Sequence, residues 1–421
     1  MHAPPLTICD TTQAFAETSG GIKTYLLEKR RHILERTDHR HVLIIPGRED
    51  RTTHEGRATT HEIEAPEIRG YAPYRFIFRL DKVMRRLRES APDVIETSSP
   101  YILPWAALRY RRKNPRCAVL GYYHTDYPTA YVGTTIRQTP AAPLERLAVG
   151  IAKRYARAVF RRFDRALTAS PVLDDALRRI GVDGIALIPL GVDLETFHPR
   201  ERDRTVWASH GIDPNRPVML FCGRLDTEKR IAVLVDAMRD LADRPELQLA
   251  FVGDGPGREM LERERERDPR LFVLPYQSEP PALARLLASA DLYVTAGPHE
   301  TFGLSVVEAQ ACGLPLVGVA AGALIDRVPP EVGRLGPADD SAAFAANIRA
   351  IFAEDLAAIG TRARNLVAEH FAWSRTFETL IEVYRETLAH RPADGGRRVE
   401  DRSGVVSSIS PDLTRRRGTG D

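Results

Sequence analysis

The stretch that decides the fold is H-E-T-F-G-L-S-V-V-E-A-Q-A-C-G-L-P, residues 299–315. A strand-like run, Leu292–Ala296, comes before it and ends at Gly297-Pro298. The spacing of the apolar residues then predicts a helix over Leu304–Cys312, and the next apolar run begins at Pro315. A strand, a glycine turn, a helix and another strand form the repeating unit of a parallel α/β sheet.

The same alternation extends in both directions along the chain. Strand-like runs are predicted in the second half at Val218–Cys222, Leu247–Gly253, Leu271–Pro275, Leu292–Ala296 and Pro315–Val319. In the first half they are predicted at Leu6–Asp10, His41–Ile45, Asp93–Glu96, Ala118–His124, Arg165–Ser170 and Ile185–Leu190. Amphipathic helical stretches separate the runs, so each half is predicted to be a doubly wound α/β domain of the Rossmann type.

A charged, proline-containing stretch at His198–Pro217 separates the two halves. We therefore predict one Rossmann-like domain over residues 1–200 and a second over residues 201–375. An amphipathic C-terminal helix over residues 376–391 is expected to pack back on the first domain. The tail, residues 392–421, is rich in Gly, Ser, Arg and Asp and is expected to be disordered.

Composition favours a cytoplasmic protein. The 421 residues contain no apolar run long enough for a membrane span, and the N-terminus lacks the pattern of a secretory signal. The four cysteines lie far apart in apolar contexts, which indicates buried thiols in a reducing compartment.

The first half of the chain is basic. Residues 1–200 carry 32 Lys and Arg against 23 Asp and Glu, and residues 71–165 carry 19 against 7. Arginine-rich stretches interleaved with Tyr, Phe and Leu can dock on anionic lipid headgroups, so peripheral attachment at the inner face of a membrane is one interpretation. An arginine-rich face in contact with water only is the other, and the sequence leaves both open.

Two glutamates flank the decisive turn, Glu300 and Glu308. The amides of Phe302, Gly303 and Leu304 are expected at a helix N-terminus, where anions bind. A fully helical path between the glutamates would rise about 12 Å, which suits one carboxylate for hexose hydroxyls and the other for ribose hydroxyls. The alternative is that Glu300 caps the helix and Glu308 is an ordinary surface residue.

A cationic turn, F-C-G-R-L-D-T-E-K-R, spans residues 221–230. Its Arg224 and Lys229 are suited to neutralise the charge that develops on a departing nucleoside diphosphate. The chain contains no D-x-D sequence, so we expect neither a metal nor another cofactor. A solvated arginine and lysine at a helix start would be the alternative, although cations are unfavourable there.

These two segments resemble the E-x7-E and G-R-x-x-x-x-K motifs of the retaining glycosyltransferases of family 4. The resemblance covers about residues 5–390 and is strongest over 218–320. It implies the GT-B fold, in which two Rossmann-like domains face a central cleft. The N-terminal domain, residues 1–200, would bind the acceptor, and the C-terminal domain, residues 201–375, would bind the nucleotide sugar. It also implies metal-independent transfer, with retention of configuration, of a mannose- or glucose-type hexose. The expected donor is a GDP- or UDP-sugar, and the expected acceptor is a glycan or a lipid-linked envelope glycan.

The resemblance also implies residue roles. Glu300 would contact the donor hexose, Glu308 the ribose, and Arg224 with Lys229 the diphosphate. Further positions that match the family more weakly are Gly20 and Gly21 for the donor phosphate, His124 for the sugar and Tyr276 for the base. Asp126 and Tyr127, at a strand end predicted to line the binding crevice, are candidates for the acceptor.

Two other functions remain as alternatives. A sugar-nucleotide epimerase of the same architecture would bind the donor without an acceptor. A non-catalytic protein would use the basic N-terminal surface for binding, although no stacking motif supports nucleic acid as the partner. G-D-G-P-G, residues 253–257, is interpreted as a tight strand-to-helix turn near the nucleotide because it departs from the dinucleotide fingerprint.

Overall fold

The computed structural model describes residues 4–16, 20–68, 74–137 and 139–391. They form two compact units. Unit 1 runs to Pro189 and includes the segment that begins at Trp373, and unit 2 is Leu190–Ala372. Unit 1 is therefore discontinuous in sequence. The predicted tail, residues 392–421, lies outside the described residues.

The boundary between the units differs from the predicted one after residue 200. The charged stretch that suggested a linker belongs to unit 2, where it forms short 3-10 turns. Trp207 is fully buried there, and its indole N–H donates to the carbonyl of Ser289 at 3.0 Å. Arg204 pairs with Asp291 at 2.7 Å. The proline and charged residues correctly indicated a surface segment, but the buried Trp207 fixes this segment to unit 2.

Unit 1 contains an eight-stranded sheet in the order β3-β4-β2-β1-β5-β6-β7-β8, parallel except for the antiparallel β3–β4 pair. Its strands are β1 (Thr7–Thr11), β2 (Arg40–Gly47), β3 (Arg51–Glu55), β4 (Ala58–Glu64), β5 (Val94–Thr97), β6 (Ala118–Tyr123), β7 (Arg165–Thr168) and β8 (Ile185–Leu187). The β3–β4 hairpin was not predicted because its sequence is polar and half exposed, which hides a strand at the sheet edge.

Helices cover the sheet of unit 1. They are α1 (Gly21–Arg36), α2 (Leu80–Ser90), α3 (Leu103–Lys113), α4 (Thr134–Arg137), α5 (Glu145–Phe160) and α6 (Pro171–Arg179). A π-helical turn, Pro128–Gly133, packs beside α5.

Unit 2 contains a six-stranded, wholly parallel sheet in the order β11-β10-β9-β12-β13-β14. Its strands are β9 (Val218–Cys222), β10 (Gln248–Val252), β11 (Leu271–Leu274), β12 (Leu292–Val294), β13 (Leu316–Val319) and β14 (Gly333–Gly336). Its helices are α7 (Ile231–Asp240), α8 (Arg258–Arg267), α9 (Pro280–Ser289), α10 (Leu304–Ala311), α11 (Leu324–Arg327), α12 (Ser341–Phe352) and α13 (Leu356–His370). Both sheets are of the predicted doubly wound type.

The last helix, α14 (Trp373–Ala389), returns to unit 1 and completes a buried ionic network there. Lys29 lies 2.8 Å from Asp10 and 3.2 Å from Glu96, and all three side chains are buried. The hydroxyls of Tyr25 and Tyr384 donate to Glu96 at 2.9 and 2.5 Å. Buried charges persist only with such complete partners, so the network fixes α14 on the unit 1 core.

The four cysteines are free thiols, three of them buried and Cys222 partly exposed. Over the described residues, no helix has both the length and the apolar character that crossing a bilayer requires.

Candidate functional site

The candidate site of unit 2 forms where the carboxyl ends of β9 and β12 meet. These strands are neighbours in the sheet. The cationic turn follows β9, and the loop that carries Glu300 follows β12 and leads into α10. The chain order reverses at this point, because β9 pairs with β10 on its other side. Ligands of open α/β sheets bind at such a switch point.

The structure brings Lys229 and Glu300 together in an ion pair, although 71 residues separate them in sequence. Their side chains are 18% and 13% exposed, so the pair is sheltered but reachable from water. Desolvation would lower the pKa of Lys229, but the Glu300 carboxylate outweighs it and raises that pKa. Lys229 therefore holds its positive charge at neutral pH, at the predicted diphosphate position.

Arg224 occupies the outer side of the same turn and is 64% exposed. Its guanidinium lies 2.7 Å from Glu228 and 3.3 Å from Asp226. Exposed ion pairs of this kind contribute little stability. An anionic ligand can therefore replace Glu228 and Asp226 as the partner of the guanidinium with little loss of folding free energy.

The backbone of Glu300 is held by the loop that follows β13. The amide of Ala323 donates to the carbonyl of Glu300 at 2.8 Å. Gly322 has φ +57°, and a Cβ there would lie 2.6 Å from the Glu300 carbonyl oxygen. Sequence reasoning missed this support, although a glycine just after a predicted strand was a usable signal.

Helix α10 begins at Leu304, after Gly303 in the left-handed conformation at φ +83°. Glu300 therefore precedes the helix, and the 12 Å rise of a continuous helix does not describe its separation from Glu308. Phe302 is buried, with its ring 6.0 Å from that of Phe371. The helix N-terminus is where the sequence predicted it, and the Phe302 ring anchors it to the core.

Glu308 lies on α10 and is partly buried. Desolvation raises the pKa of its carboxyl to about 8. Desolvation and then the nearby Glu308 raise the pKa of Cys222 to about 12, which places Glu308 near the end of β9. Tyr276, which follows β11, is 54% exposed at the same edge of the sheet.

The turn G-D-G-P-G joins β10 to α8 and packs directly on the cationic turn. The amide of Leu225 donates to the carbonyl of Asp254 at 2.9 Å. A Cβ at Gly253 would lie 1.9 Å from the carbonyl oxygen of Gly223, so only glycine permits this approach. Within the described residues, no group of three or more His, Cys, Asp and Glu side chains is placed to hold a metal ion.

In unit 1, His124 follows β6 at the carboxyl edge of the sheet and is buried. Its Nε2 lies 3.2 Å from the hydroxyl oxygen of Ser98, and its ring stacks on Tyr122 at 3.9 Å. Desolvation lowers the pKa of His124 to about 3, so its imidazole is neutral at physiological pH. Ser98, at the end of β5, was not singled out in the sequence.

The other predicted residues of unit 1 lie at the same edge of its sheet. Asp126 accepts a hydrogen bond from the hydroxyl of Tyr123 at 2.7 Å. Tyr127 is buried, and over the described residues its hydroxyl has no hydrogen-bond partner. Gly20 caps α1, which begins at Gly21, and a side chain at Gly20 would meet open space. Thr18 and Ser19, which precede Gly20, lie outside the described residues.

Family models match both halves of the chain. The model described as glycosyl transferases group 1 matches residues 203–366. The model described as glycosyltransferase family 4 matches residues 19–196.

Curated relatives point to the same family. A GDP-mannose-dependent alpha-mannosyltransferase of Corynebacterium glutamicum is 30% identical over 79% of this chain and 76% of its own length. A GDP-mannose-dependent alpha-(1-6)-phosphatidylinositol dimannoside mannosyltransferase of Mycobacterium tuberculosis is 38% identical over 41% of this chain. That match spans only 45% of the mycobacterial relative.

Solved structures agree on the fold. A sucrose-phosphate synthase from Thermosynechococcus elongatus superposes with a TM-score of 0.72 at 23% identity, covering 91% of this chain and 99% of its own. An Anabaena protein solved in complex with UDP and glucose gives 0.70 at 19% identity, with coverages of 90% and 99%. The predicted GT-B fold class is confirmed.

Proposed function

The chain belongs to family 4 of the glycosyltransferases, the group 1 type, and we propose that it transfers a hexose from a nucleotide-diphosphate sugar to a glycan or lipid-linked acceptor with retention of configuration. The Lys229–Glu300 pair at the switch point of unit 2 carries this proposal. It offers a fixed cation for a phosphate beside a carboxylate for sugar hydroxyls.

In the proposed reaction, Glu300 accepts hydrogen bonds from the hexose while Lys229 and Arg224 hold the diphosphate. Fixed cations that face the developing charge of the leaving group stabilise the transition state without reorganisation. Lys229 and the exposed Arg224 therefore supply this neutralisation from the chain's own residues. Glu308 accepts from the ribose, and the amides around Gly303 face the ligand's anionic part.

The donor is proposed to be GDP-mannose, with a UDP-hexose as the second choice. The two relatives described above are named as GDP-mannose-dependent enzymes, which supports the first. The roles of Gly20, Gly21, His124, Asp126, Tyr127 and Tyr276 stay predictions.

A thermal-shift panel tests the proposal. The protein is heated with UDP, GDP, ADP and their hexose conjugates in the presence of EDTA. A ligand at about 100 times its dissociation constant stabilises by about 2.7 kcal/mol, so one nucleotide should stand out. The double variant Arg224→Ala/Lys229→Ala should lose that shift, because it lacks both of the side chains proposed to contact the diphosphate.

The matched control is Arg263→Ala/Arg267→Ala, which removes two exposed cations of α8 from the same unit and should keep the shift. The absence of a shift with every nucleotide would contradict the proposal. Once a donor is known, product analysis without acceptor separates transfer from epimerisation, which would return an altered sugar nucleotide.

A further inference from the structure

The outer face of α5 departs from the pattern of a surface helix. Its inner face packs Val159 and Phe160 into the core of unit 1. The outer face carries Leu147 and Ile151, which are 62% and 59% exposed, and Leu144 just before the helix is 56% exposed. Three large apolar side chains at helical spacing on a solvent face form the kind of patch that marks an interaction surface.

The same face continues towards the C-terminus of α5 with arginines. Arg154 and Arg161 line a shallow pocket of about 470 Å³ with Arg157 and Arg162. Arg162 also borders a second pocket, of about 630 Å³, lined by basic residues of α3 and by Trp105. The basic residues of α3 at this pocket are Arg109, Arg111, Arg112 and Lys113.

Four of these cations lack the local neutralisation seen elsewhere in the protein. Arg111 pairs with Asp164 at 2.9 Å. In the part of the chain that the structure describes, no carboxylate lies within ion-pair distance of Arg109, Arg112, Arg154 or Arg161. On α8 of unit 2, by contrast, Arg263, Arg265 and Arg267 each pair with a glutamate of the same helix. The α3–α5 surface therefore presents positive charge that is open to an external anion.

An anionic lipid bilayer matches both parts of this surface. Its phosphates complement the arginines, and its acyl region can take up the apolar stripe. Trp105 and Tyr131, which are 37% and 50% exposed, are amphipathic side chains of the type enriched at membrane interfaces. A nucleic acid would engage the arginines but would have no use for Leu147 and Ile151.

We infer that the outer face of α5, with the basic end of α3, docks on an anionic membrane surface and thereby brings a lipid-borne acceptor to unit 1. The link to the acceptor rests on the proposed function.

A chain of contacts joins this face to Tyr127, a predicted acceptor residue. The indole N–H of Trp105 donates to the hydroxyl of Tyr155 at 3.0 Å, and that hydroxyl donates to the carbonyl of Tyr101. The ring of Tyr101 lies 6.0 Å from that of Tyr127.

Vesicle co-sedimentation of the full chain tests this inference. Vesicles of phosphatidylcholine alone are compared with vesicles in which about one third of the lipid is phosphatidylglycerol, at low and high salt. Binding is expected only to the anionic vesicles and is expected to weaken with salt. Arg154→Gln/Arg161→Gln should reduce partitioning about five-fold for each arginine removed. Leu147→Gln/Ile151→Gln should reduce it at least about tenfold.

Two control variants match these changes in kind. Arg263→Gln/Arg267→Gln removes the same charge from unit 2, and Leu27→Gln, on α1, removes an apolar side chain that is 43% exposed. Neither should alter vesicle binding. All variants should keep the nucleotide thermal shift, which shows folding and tests the donor site independently of docking.

Failure of the anionic vesicles to bind the wild type would overturn the inference. Equal binding by Leu147→Gln/Ile151→Gln would also overturn it, because the apolar stripe would then have no part. The same would follow if single-stranded oligonucleotide bound with the salt dependence expected of lipid and displaced the vesicles. That result would identify a general polyanion surface.

Discussion

Each unit contains a lysine that forms an ion pair with carboxylates. The two clusters differ in their further hydrogen-bond partners and in their exposure to water. Around Lys29 in unit 1, Asp10 and Glu96 are sealed from water, and tyrosine hydroxyls and His41 complete their hydrogen bonds. Around Lys229 in unit 2, the ion-pair partner among the described residues is Glu300, and both side chains keep some exposure. The same pair of charges serves as a structural joint in one unit and is left accessible to a ligand in the other.

This contrast teaches that a lysine–carboxylate pair does not by itself indicate a functional site. The number of remaining partners and the access of water decide between the two roles. Removing one charge from a sealed cluster strands the others in the protein interior, whereas removing one from an accessible pair leaves the other solvated.

The largest expected effect follows from breaking the accessible pair. Glu300→Ala should lower hexose transfer by about 100- to 1,000-fold, because a preorganised contact to the reacting sugar is lost. Folding should persist, since water reaches Lys229. Turnover measured by product formation gives the first quantity, and thermal unfolding gives the second.

Glu331→Ala, at an exposed glutamate of the same unit, is the control and should retain full turnover. Transfer near the wild-type rate in Glu300→Ala would show that the Lys229–Glu300 pair has no part in catalysis.

A second prediction concerns the pH dependence contributed by Glu308. Burial raises the pKa of its carboxyl to about 8, and the ionised form accepts hydrogen bonds from ribose hydroxyls more strongly than the protonated form. Nucleoside diphosphate affinity should therefore rise by up to about tenfold between about pH 7 and pH 9. The terminal phosphate titrates near pH 6 and is already ionised in this range. Calorimetric titration at several pH values measures the slope.

Two controls isolate the contribution of Glu308. Glu308→Gln should give a flat profile, and so should the wild type with a nucleotide whose ribose lacks both hydroxyls. A slope that survives in either control would assign the titration to another group.

The smallest effect on catalysis is expected from changes in the sealed cluster, which consists of Lys29, Asp10 and Glu96. Burial raises the pKa of Glu96 to about 7 from an ordinary 4.5, so the folded state favours its protonated form. That contribution to stability is present below about pH 4.5 and is lost between about pH 4.5 and pH 7. Glu96→Gln should lack this loss. The unfolding temperature of the wild type should therefore decline more steeply between these pH values than that of the variant.

Asp10 does not offset this trend. Although desolvation opposes the change, Lys29 and His41 hold the pKa of Asp10 below its ordinary value of 3.8, so its contribution changes only at lower pH. Glu35→Gln, at an exposed residue of α1, should follow the wild-type profile. Transfer activity should be unchanged in both variants. Parallel pH profiles for Glu96→Gln and the wild type would argue against a titrating carboxyl in the sealed cluster.

Much of the fold could be predicted because buried parallel strands are short apolar runs. Val218–Cys222 has the same bounds in the prediction and in the structure. The β3–β4 hairpin and β14 escaped prediction, since one is polar and the other is the four residues G-R-L-G. Local sequence carries little signal for strands at a sheet edge.

The partners of the charged residues could not be predicted at all. Glu96 ends the predicted strand Asp93–Glu96, and nothing in the sequence identified its partners. Tyr384, which donates to it, is 288 residues away in sequence. The chemistry of Lys229 and Glu300 and the family resemblance assigned both residues to one ligand, but their ion pair was not predicted. Pairing across 71 residues depends on strand order and not on spacing.

The discontinuity of unit 1 has a consequence for biosynthesis. The ribosome releases β1 to β8 first, then all of unit 2, and only afterwards α14. Until α14 emerges, Glu96 has Tyr25 and Lys29 beside it but lacks the hydroxyl of Tyr384. Unit 2 is a continuous segment that can mature while still attached to the ribosome, whereas unit 1 reaches its final form only after the gene has been translated beyond residue 384.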